Sequence, residues 1–430
     1  MGVISLRQQV AYTVLLYALL LLLLPHAGYD GDMNFWLRWA TYSFDYGLGN
    51  VYRIPDNNYN PFYHYILWLY GQLAGSVYRL QRYAHLLKAF TLVFDFAGAF
   101  WAASLVPERS RRFGLALVLL LNIGYLYDTM IWIQVDSIYT FFSFGAVVLA
   151  ARQRPVASML LYVLALASKT QAIIFLPPLL LLWGPQWWRQ PLRLAQGLLA
   201  SAALTTLLLA PFIWWSWENA VPRIIEINAT AANLYPKLSL NAYNLWYLIT
   251  EFQSLPETSD LLPFAGLTFR KWGLLFFLTS SAVALLPLLV AAWQAWRPRA
   301  ASPGPAPSLL LVLLSCGIIP LLFTFFNTQM HERYWHPALL FLAAYGFVRR
   351  DYLPMVLMSV AYFLHLERGL QYLQLLNYDI FYFQPKFVAA LFALLIGLLL
   401  WKIYGLAPWR TGPLPEAAGR PVARPVPTAV

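Results

Sequence analysis

Apolar residues run through this chain in long blocks separated by short polar joints. The blocks fall at about 6–25, 86–106, 113–127, 136–151, 156–168, 170–184, 195–215, 272–296, 308–326, 337–348, 353–367 and 387–406. A hydrocarbon core of about 30 Å needs about 20 apolar residues per helix, so the pattern predicts an all-α polytopic membrane protein of about twelve spans. Several blocks are short and are expected to tilt or break. Ser168, Lys169, Thr170 and Gln171 interrupt the stretch Val156–Gly184, which we divide there into two. The first block follows Arg7 and has no A-x-A-like site after it, so it is expected to be a retained helix rather than a cleaved leader.

Three joints are long, at about 26–85, 214–271 and 368–386, and loops of such length are usually functional. In the first of them stands GYDGDMNFWLRWATYSFDYG, residues 28–47. Phe35, Trp39, Tyr42 and Tyr46 recur there at helical spacing, with Asn34, Arg38, Thr41 and Asp45 on another stripe. That pattern predicts an interfacial helix with its aromatic side toward lipid or protein. Residues 1–408 read as one membrane domain, and 409–430, rich in Pro, Ala and Arg, as a disordered tail.

Composition agrees with the pattern. Hydrophobic residues make up 60% of the 430 and charged residues 11%, with mean hydropathy +0.58; soluble domains carry roughly 25% charged residues. The single cysteine, Cys316, rules out an intrachain disulfide. The net charge of +11 does not point to nucleic acid, because it is spread over short joints. Arg109, Arg111 and Arg112, then Arg152 and Arg154, Arg189 and Arg193, Arg297 and Arg299, Arg349 and Arg350 all fall on one side when the N-terminus is cytoplasmic. Lys402, Arg410, Arg420 and Arg424 join them, and Arg270 with Lys271 is the exception. Of the 18 acidic residues, only Glu108, Asp351 and Glu416 share the basic side. Both termini are therefore expected in the cytoplasm, with the active surface facing away from it.

Candidate chemistry lies on that outward side. Asp30 and Asp32 open the interfacial helix. Asp32 stands where a helix cap belongs; alternatively one carboxylate is a general base, or the two bind a divalent cation such as Mg2+ or Mn2+. No other cofactor is expected. Tyr59, Tyr63 and His64 belong to NNYNPFYHYILWLYG, a turn leading into an interfacial aromatic anchor. Gln134 and Asp136 lie at the outer end of a block, where an ionisable group usually has a partner or a task. Lys169 either snorkels or meets a phosphate. His331, Glu332, Arg333 and His336 cluster in NTQMHERYWHPALLF. The two histidines are five apart, so this is not the i, i+4 zinc helix; arginine beside histidine suits an anionic oxygen better. Asn241, Asn244 and Trp246 form an amide and aromatic loop of the kind that lines sugar sites and ordinary interfaces alike. Asn228-Ala229-Thr230 is a formal glycosylation sequon.

Taken in order, GDMNFWLRWA at 31–40, NYNPFYHYI at 58–66, WIQVDS at 132–137, KTQAIIFLPPL at 169–179, LNAYNLW at 240–246 and HERYWHPALL at 331–340 resemble the GT-C glycosyltransferases. The likeness is to those that use polyprenyl- or dolichyl-phosphate sugars, including dolichyl-phosphate glucose and mannose transferases and bacterial mannosyltransferase-like relatives. It implies a GT-C-like fold and a hexose, mannose or glucose, passed from the lipid phosphate to an acceptor hydroxyl with inversion. The acceptor classes are glycan, glycolipid and protein, and the setting is a bacterial inner membrane, or the endoplasmic reticulum in a eukaryote. An aspartate followed seven residues later by tryptophan is the family's base, which matches Asp32 and Trp39. The histidine-glutamate-basic motif matches His331, Glu332 and Arg333 and implies contact with the lipid phosphate, with Lys169 assisting. Asn60-Pro61 stands where the family often has two prolines, a departure at the acceptor cleft. Two other classes compete: a transporter or flippase of lipid-linked sugar, and an O-antigen-type ligase or polymerase. Inverted repeats would favour the first, and none is visible in the sequence. Key residues in a late outward loop would favour the second.

Overall fold

Proline marks the starts of many helices, because its missing N–H costs nothing in a first turn and its fixed φ suits one. Pro61, Pro155, Pro177, Pro191, Pro222, Pro337, Pro354 and Pro385 each stand in the first or second helical position. Elsewhere side chains cap. Ser5 and Gln8 form a reciprocal capping box, and the Asn122 and Ser308 side chains accept the Tyr125 and Leu311 N–H groups.

The structure is a computed structural model and describes residues 4–23, 30–231, 235–252, 254–296, 298–299, 302–303 and 306–410. The helices in chain order are α1 (Leu6–Leu22), α2 (Asp30–Tyr46), α3 (Pro61–Ala74), α4 (Val77–Arg82), α5 (Leu87–Ser104), α6 (Arg109–Leu120), α7 (Ile123–Met130), α8 (Asp136–Ala151) and α9 (Pro155–Ser168). They continue as α10 (Leu176–Arg189), α11 (Pro191–Trp214), α12 (Val221–Thr230), α13 (Leu245–Ile249), α14 (Phe269–Trp296), α15 (Leu309–Phe326), α16 (His336–Arg349), α17 (Leu353–Leu370) and α18 (Pro385–Gly405). Two short hairpins, Pro263–Phe264 with Leu267–Thr268 and Pro298–Arg299 with Ser302–Pro303, are the strands among the described residues. The predicted tail beyond Arg410 lies outside the described residues.

Every predicted apolar block is helical. Block 113–127 is two helices, α6 and α7, bent by 56°. Block 170–184 begins as a 3-10 turn, Thr170–Phe175, after the chain goes extended at Lys169 (φ −158°, ψ 133°). Among the described residues five helices are long and apolar enough to cross a membrane, or six if α6 and α7 form one span. That is fewer than the blocks, for a geometric reason. Helices such as α10 and α16 have 14 residues, which at 1.5 Å per residue fall short of a 30 Å core.

Burial ranks the helices from centre to rim. The apolar window of α15 is 78% buried and that of α11 only 17%; α8 and α16 are buried along most of their length, while no residue of α1 is buried. Contacts also sort the helix ends by side. Arg350 reaches Glu108 at 2.8 Å, Arg111 reaches the Tyr352 hydroxyl at 3.3 Å, Arg193 donates to the Gln153 carbonyl at 3.2 Å, and Lys402 pairs with Asp351. Each joins two ends that the arginine pattern assigns to one face. The exceptional Arg270 has its own cause: a two-pronged pair at 2.9 and 3.0 Å with the buried Asp260, which Thr328 and Gln329 also bind at 2.8 Å. The buried Asp260, in the loop before the first hairpin, takes that arginine as its partner, which gives Arg270 a reason to stand there apart from topology.

Helix α2 splits the aromatic stripe named in the sequence. Met33, Trp36, Trp39, Ala40 and Ser43 are buried, whereas Phe35 and Tyr46 are exposed. Trp36 and Trp39 pack edge-on or tilted against Tyr59 and Tyr63 at 5.3–6.3 Å, which locks α2 onto α3. Asp32 belongs to this inward face. It is the third residue of the helix and not its cap.

Gly49 sets how closely the segment after α2 approaches α11. A Cβ there would stand 2.5 Å from the carbonyl oxygens of both Pro211 and Trp215. Gly49→Ala should therefore lower the thermal midpoint in detergent, by the equivalent of about 1–3 kcal/mol for overpacking. Gly114→Ala, whose Cβ meets nothing within 4 Å, should not. Equal melting of the two variants would contradict this contact.

Candidate active site

Five chain segments bring charge to one place. Asp32 comes from the first turn of α2, Gln134 from the joint between α7 and α8, Asp136 from the start of α8, Lys169 from the end of α9, and His331, Glu332 and Arg333 from the joint between α15 and α16. These ends share one side of the helix array, the side opposite the paired arginine joints in the sequence reading.

Arg333 is the centre. Its Nη1 lies 3.1 Å from Glu332 Oε1 and 3.8 Å from Asp32 Oδ2, and its Nε lies 3.8 Å from Asp136 Oδ2. Its side chain is 10% exposed. Burial opposes the guanidinium charge, but Asp32 and Glu332 outweigh it and hold the group more firmly protonated than usual. No hydrogen bond among the described residues engages Nη2, so one corner of the fork is open.

Asp136 is fully buried and takes the Lys169 ammonium at 2.7 Å on Oδ1. Lys169 also lies over the rings of Tyr334 and Tyr139, at 5.1 and 5.6 Å, which favours a cation. Burial still pushes its pKa down, against the pull of Asp136. Of the two alternatives for Lys169, snorkelling is not what the structure shows: the side chain reaches inward to a carboxylate.

Glu332 and His331 complete the cluster, with Nδ1 of His331 3.8 Å from Glu332 Oε2. Burial raises the Glu332 carboxyl, but His331 and Arg333 together bring it down to about 2. His331 goes the other way. Burial, then the neighbouring Arg333, depress it, so the ring tends to be neutral. The Asp32 carboxylate accepts the Gln134 amide at 2.5 Å on Oδ2, and its Oδ1 has no donor among the described residues. Tyr59 stands beside the cluster, its hydroxyl pushed up by burial and then by Asp32. The side chain of Asp30 lies outside the described residues.

Other residues singled out in the sequence serve packing. His64 is buried, bonded to Asn57 at 3.1 Å and wedged between Trp39 and Tyr52. Tyr63 is buried edge-on against Trp36. Asn244 caps α13 and donates to the Thr324 and Asn327 carbonyls, and Trp246 fills a small separate core with Leu238, Leu255 and Phe269. Asn241 has φ 64°, and its carbonyl meets His365 Nε2 at 2.6 Å. His336 sits apart from His331; it is fully buried, stacked on Tyr125, with Nδ1 3.9 Å from Asp128. The sequon residue Asn228 exchanges amide hydrogen bonds with Asn60 and accepts from Thr170 at 2.6 Å, so its side chain is a structural tie. Asn60 thus ties α3 to the 3-10 turn after α9 and to α12, which is what the departure at Asn60-Pro61 does structurally.

Sequence reasoning missed Asp128 and Tyr334. The signal for Asp128 was an acid directly at the end of an apolar block; that for Tyr334 was an aromatic directly after Arg333. Two open clefts, of about 630 and 500 Å3, are lined by other residues. The second runs along Asn34, Arg38, Thr41 and Asp45, on the side of α2 opposite Trp36 and Trp39.

A scan of protein-family models and a search of curated proteins found no match to this chain.

Lys169→Met would leave Asp136 buried without its closest cation, a change that costs about 3–5 kcal/mol when one partner of a buried pair is removed. The midpoint of thermal unfolding should fall sharply in the single variant and recover in large part when Asp136→Asn is added. A single variant that melts like the wild type would show that the pair carries no stability.

Proposed function

We propose that the chain is an integral membrane glycosyltransferase of GT-C type. It would move a hexose, mannose or glucose, from a polyprenyl-phosphate donor to an acceptor hydroxyl on the extracytoplasmic side. One observation carries the reading: a carboxylate with a free oxygen, Asp32, stands 3.8 Å from a buried arginine whose fork has an open corner. A base and an anion-binding cation side by side are what displacement at an anomeric carbon needs. The resemblance of six ordered motifs to that family is the second support.

In the proposed step Asp32 takes the proton of the acceptor hydroxyl while that oxygen forms its bond to the anomeric carbon. The bond from the anomeric carbon to the phosphate oxygen breaks, and its electron pair leaves with the polyprenyl phosphate. Configuration inverts. Charge grows on the departing phosphate, so a pre-placed guanidinium acts where it helps most. Arg333 would bind that phosphate, and His331, once protonated, would add to it. Glu332 would hold Arg333 in place. Lys169, committed to Asp136, would act through the field of the pair.

In this reading the short helices cross as well, giving about twelve tilted or broken spans, with both termini in the cytoplasm of a bacterial inner membrane. Acceptors are a glycan, a glycolipid or a protein. The step needs no cofactor, while the Asp30 and Asp32 pair leaves a divalent metal as a variant of it. A second reading, transport of a lipid-linked sugar, is favoured by two helix breaks, the 56° bend between α6 and α7 and the extended Lys169.

The test is sugar transfer in membranes from radiolabelled polyprenyl-phosphate hexose, comparing wild type with Asp32→Asn, with and without a chelator. We expect loss in the variant of about 10²–10⁴-fold, the usual worth of a general base, and full activity in chelator. Loss in chelator as well moves the account to a metal held at Asp30 and Asp32. Undiminished transfer by Asp32→Asn would overturn the role of the carboxylate, and movement of the lipid-linked sugar without transfer would favour the transporter.

A further inference from the structure

The joint between α7 and α8 is held unusually tightly for a loop. Trp132, Ile133, Gln134 and Val135 are all buried. The Trp132 N–H donates to the Tyr127 carbonyl at 2.9 Å and the Gln134 N–H to the Asp128 carbonyl at 2.8 Å. The Trp132 indole packs against Gly369, where a Cβ would meet it at 2.9 Å. Between them Ile133 has φ 66°. A β-branched residue at positive φ is a genuine outlier, and such strain persists only where the surroundings over-determine it. The product of that strained turn is the direction of one side chain. Gln134, 1% exposed, points its amide at Asp32 and donates to Oδ2 at 2.5 Å.

The same oxygen faces Arg333 Nη1 at 3.8 Å, and Oδ1 has no donor among the described residues. The two oxygens of Asp32 are therefore unequal. Without the amide, the carboxylate is free to rotate into a two-pronged pair with Arg333, which would occupy both oxygens and the fork together. We propose that Gln134 is a positioning residue that keeps Asp32 from collapsing onto Arg333 and reserves Oδ1 for the proton of the acceptor hydroxyl. This assigns Gln134 a task on the base itself and not on the substrate. The inference rests on Asp32 being the general base. The turn through Ile133 is the device that aims the amide, and the cation and the base then act as separate groups.

The test is steady-state transfer from polyprenyl-phosphate hexose by full-length wild type, Gln134→Ala, Gln134→Glu and Asp32→Asn, each with a pH profile and a thermal melt. Gln134→Ala should lower kcat by about 10²-fold, the scale of a misplaced catalytic group, and leave the KM values unchanged. Gln134→Glu is the sharper variant, since it keeps the size of the side chain. Ionised, the new carboxyl repels Asp32; protonated, it restores a donor at the same place. Its activity should therefore recover as pH is lowered, over a range in which wild-type activity does not rise. A raised KM with kcat preserved in Gln134→Ala would mean that Gln134 binds substrate, and a wild-type pH profile in Gln134→Glu would overturn the inference outright. If Asp32→Asn is inactive while both Gln134 variants match wild type, this inference alone fails. If Asp32→Asn transfers sugar normally, the assignment of the base fails, and this inference falls with it.

Discussion

A guanidinium buried at the centre of the helix ends imposes most of the local architecture. Arg333 has three carboxylates around it: Asp32, Asp136 and Glu332. A charge taken out of water is tolerated only with partners, and removing one partner of such a pair is far more costly than the pair is worth. The carboxylates come from α2, from α8 and from the arginine's own joint, and Asp136 in turn fixes Lys169 at the end of α9. Four distant stretches of sequence are thereby tied within one region. The apolar packing of α8, α15 and α16 supplies the platform, and the ion pairs set the register of the ends upon it.

Charge balance shapes what the site can accept. Three carboxylates face two cations, and burial and Arg333 keep His331 toward its neutral form. The resting cluster is thus rich in negative charge. A phosphate entering it competes with Glu332 and Asp32 for the same fork, and its own charge favours protonation of His331. In the proposed reaction this gives binding and departure a common switch: the phosphate would draw Arg333 toward itself as it arrives, Lys169 staying with Asp136, and Glu332 and Asp32 would reclaim Arg333 after it leaves. The cost of desolvating an anion is shared with groups that were already buried.

Helix positions were largely legible in the sequence, because a lipid-facing or fully buried helix must be apolar and the joints carry Pro and Arg. Several of the arginine-bearing joints also meet one another, and Arg270, which departs from the arginine pattern, pairs with the buried Asp260. The number of helices long enough to cross was not, since apolarity marks a block without saying where the helix stops or bends. Which face of α2 turns inward was not legible for a similar reason. Aromatic residues mark interfaces as readily as cores, and the choice between Phe35 and Trp36 depends on what α3 presents opposite. Charged members of the cluster stood out in the sequence because ions are scarce in this chain. The polar and aromatic ones did not separate so well: Asn244, Trp246 and His64 have the composition of a sugar site and the contacts of a packing core. Whether an amide serves the backbone or a ligand is decided by the carbonyls within its reach, and those come from distant segments.

The central claim is that one cluster holds both the base and the phosphate-binding cation. The most direct measurement is an experimental structure of the protein with a polyprenyl phosphate bound. The expected result is phosphate oxygens within hydrogen-bond reach, about 3 Å, of the Arg333 guanidinium, with Asp32 Oδ1 facing the acceptor side, opposite the phosphate across the position of the anomeric carbon. A phosphate seated away from Arg333, with Arg333 still closed on Glu332 and Asp32, would contradict it.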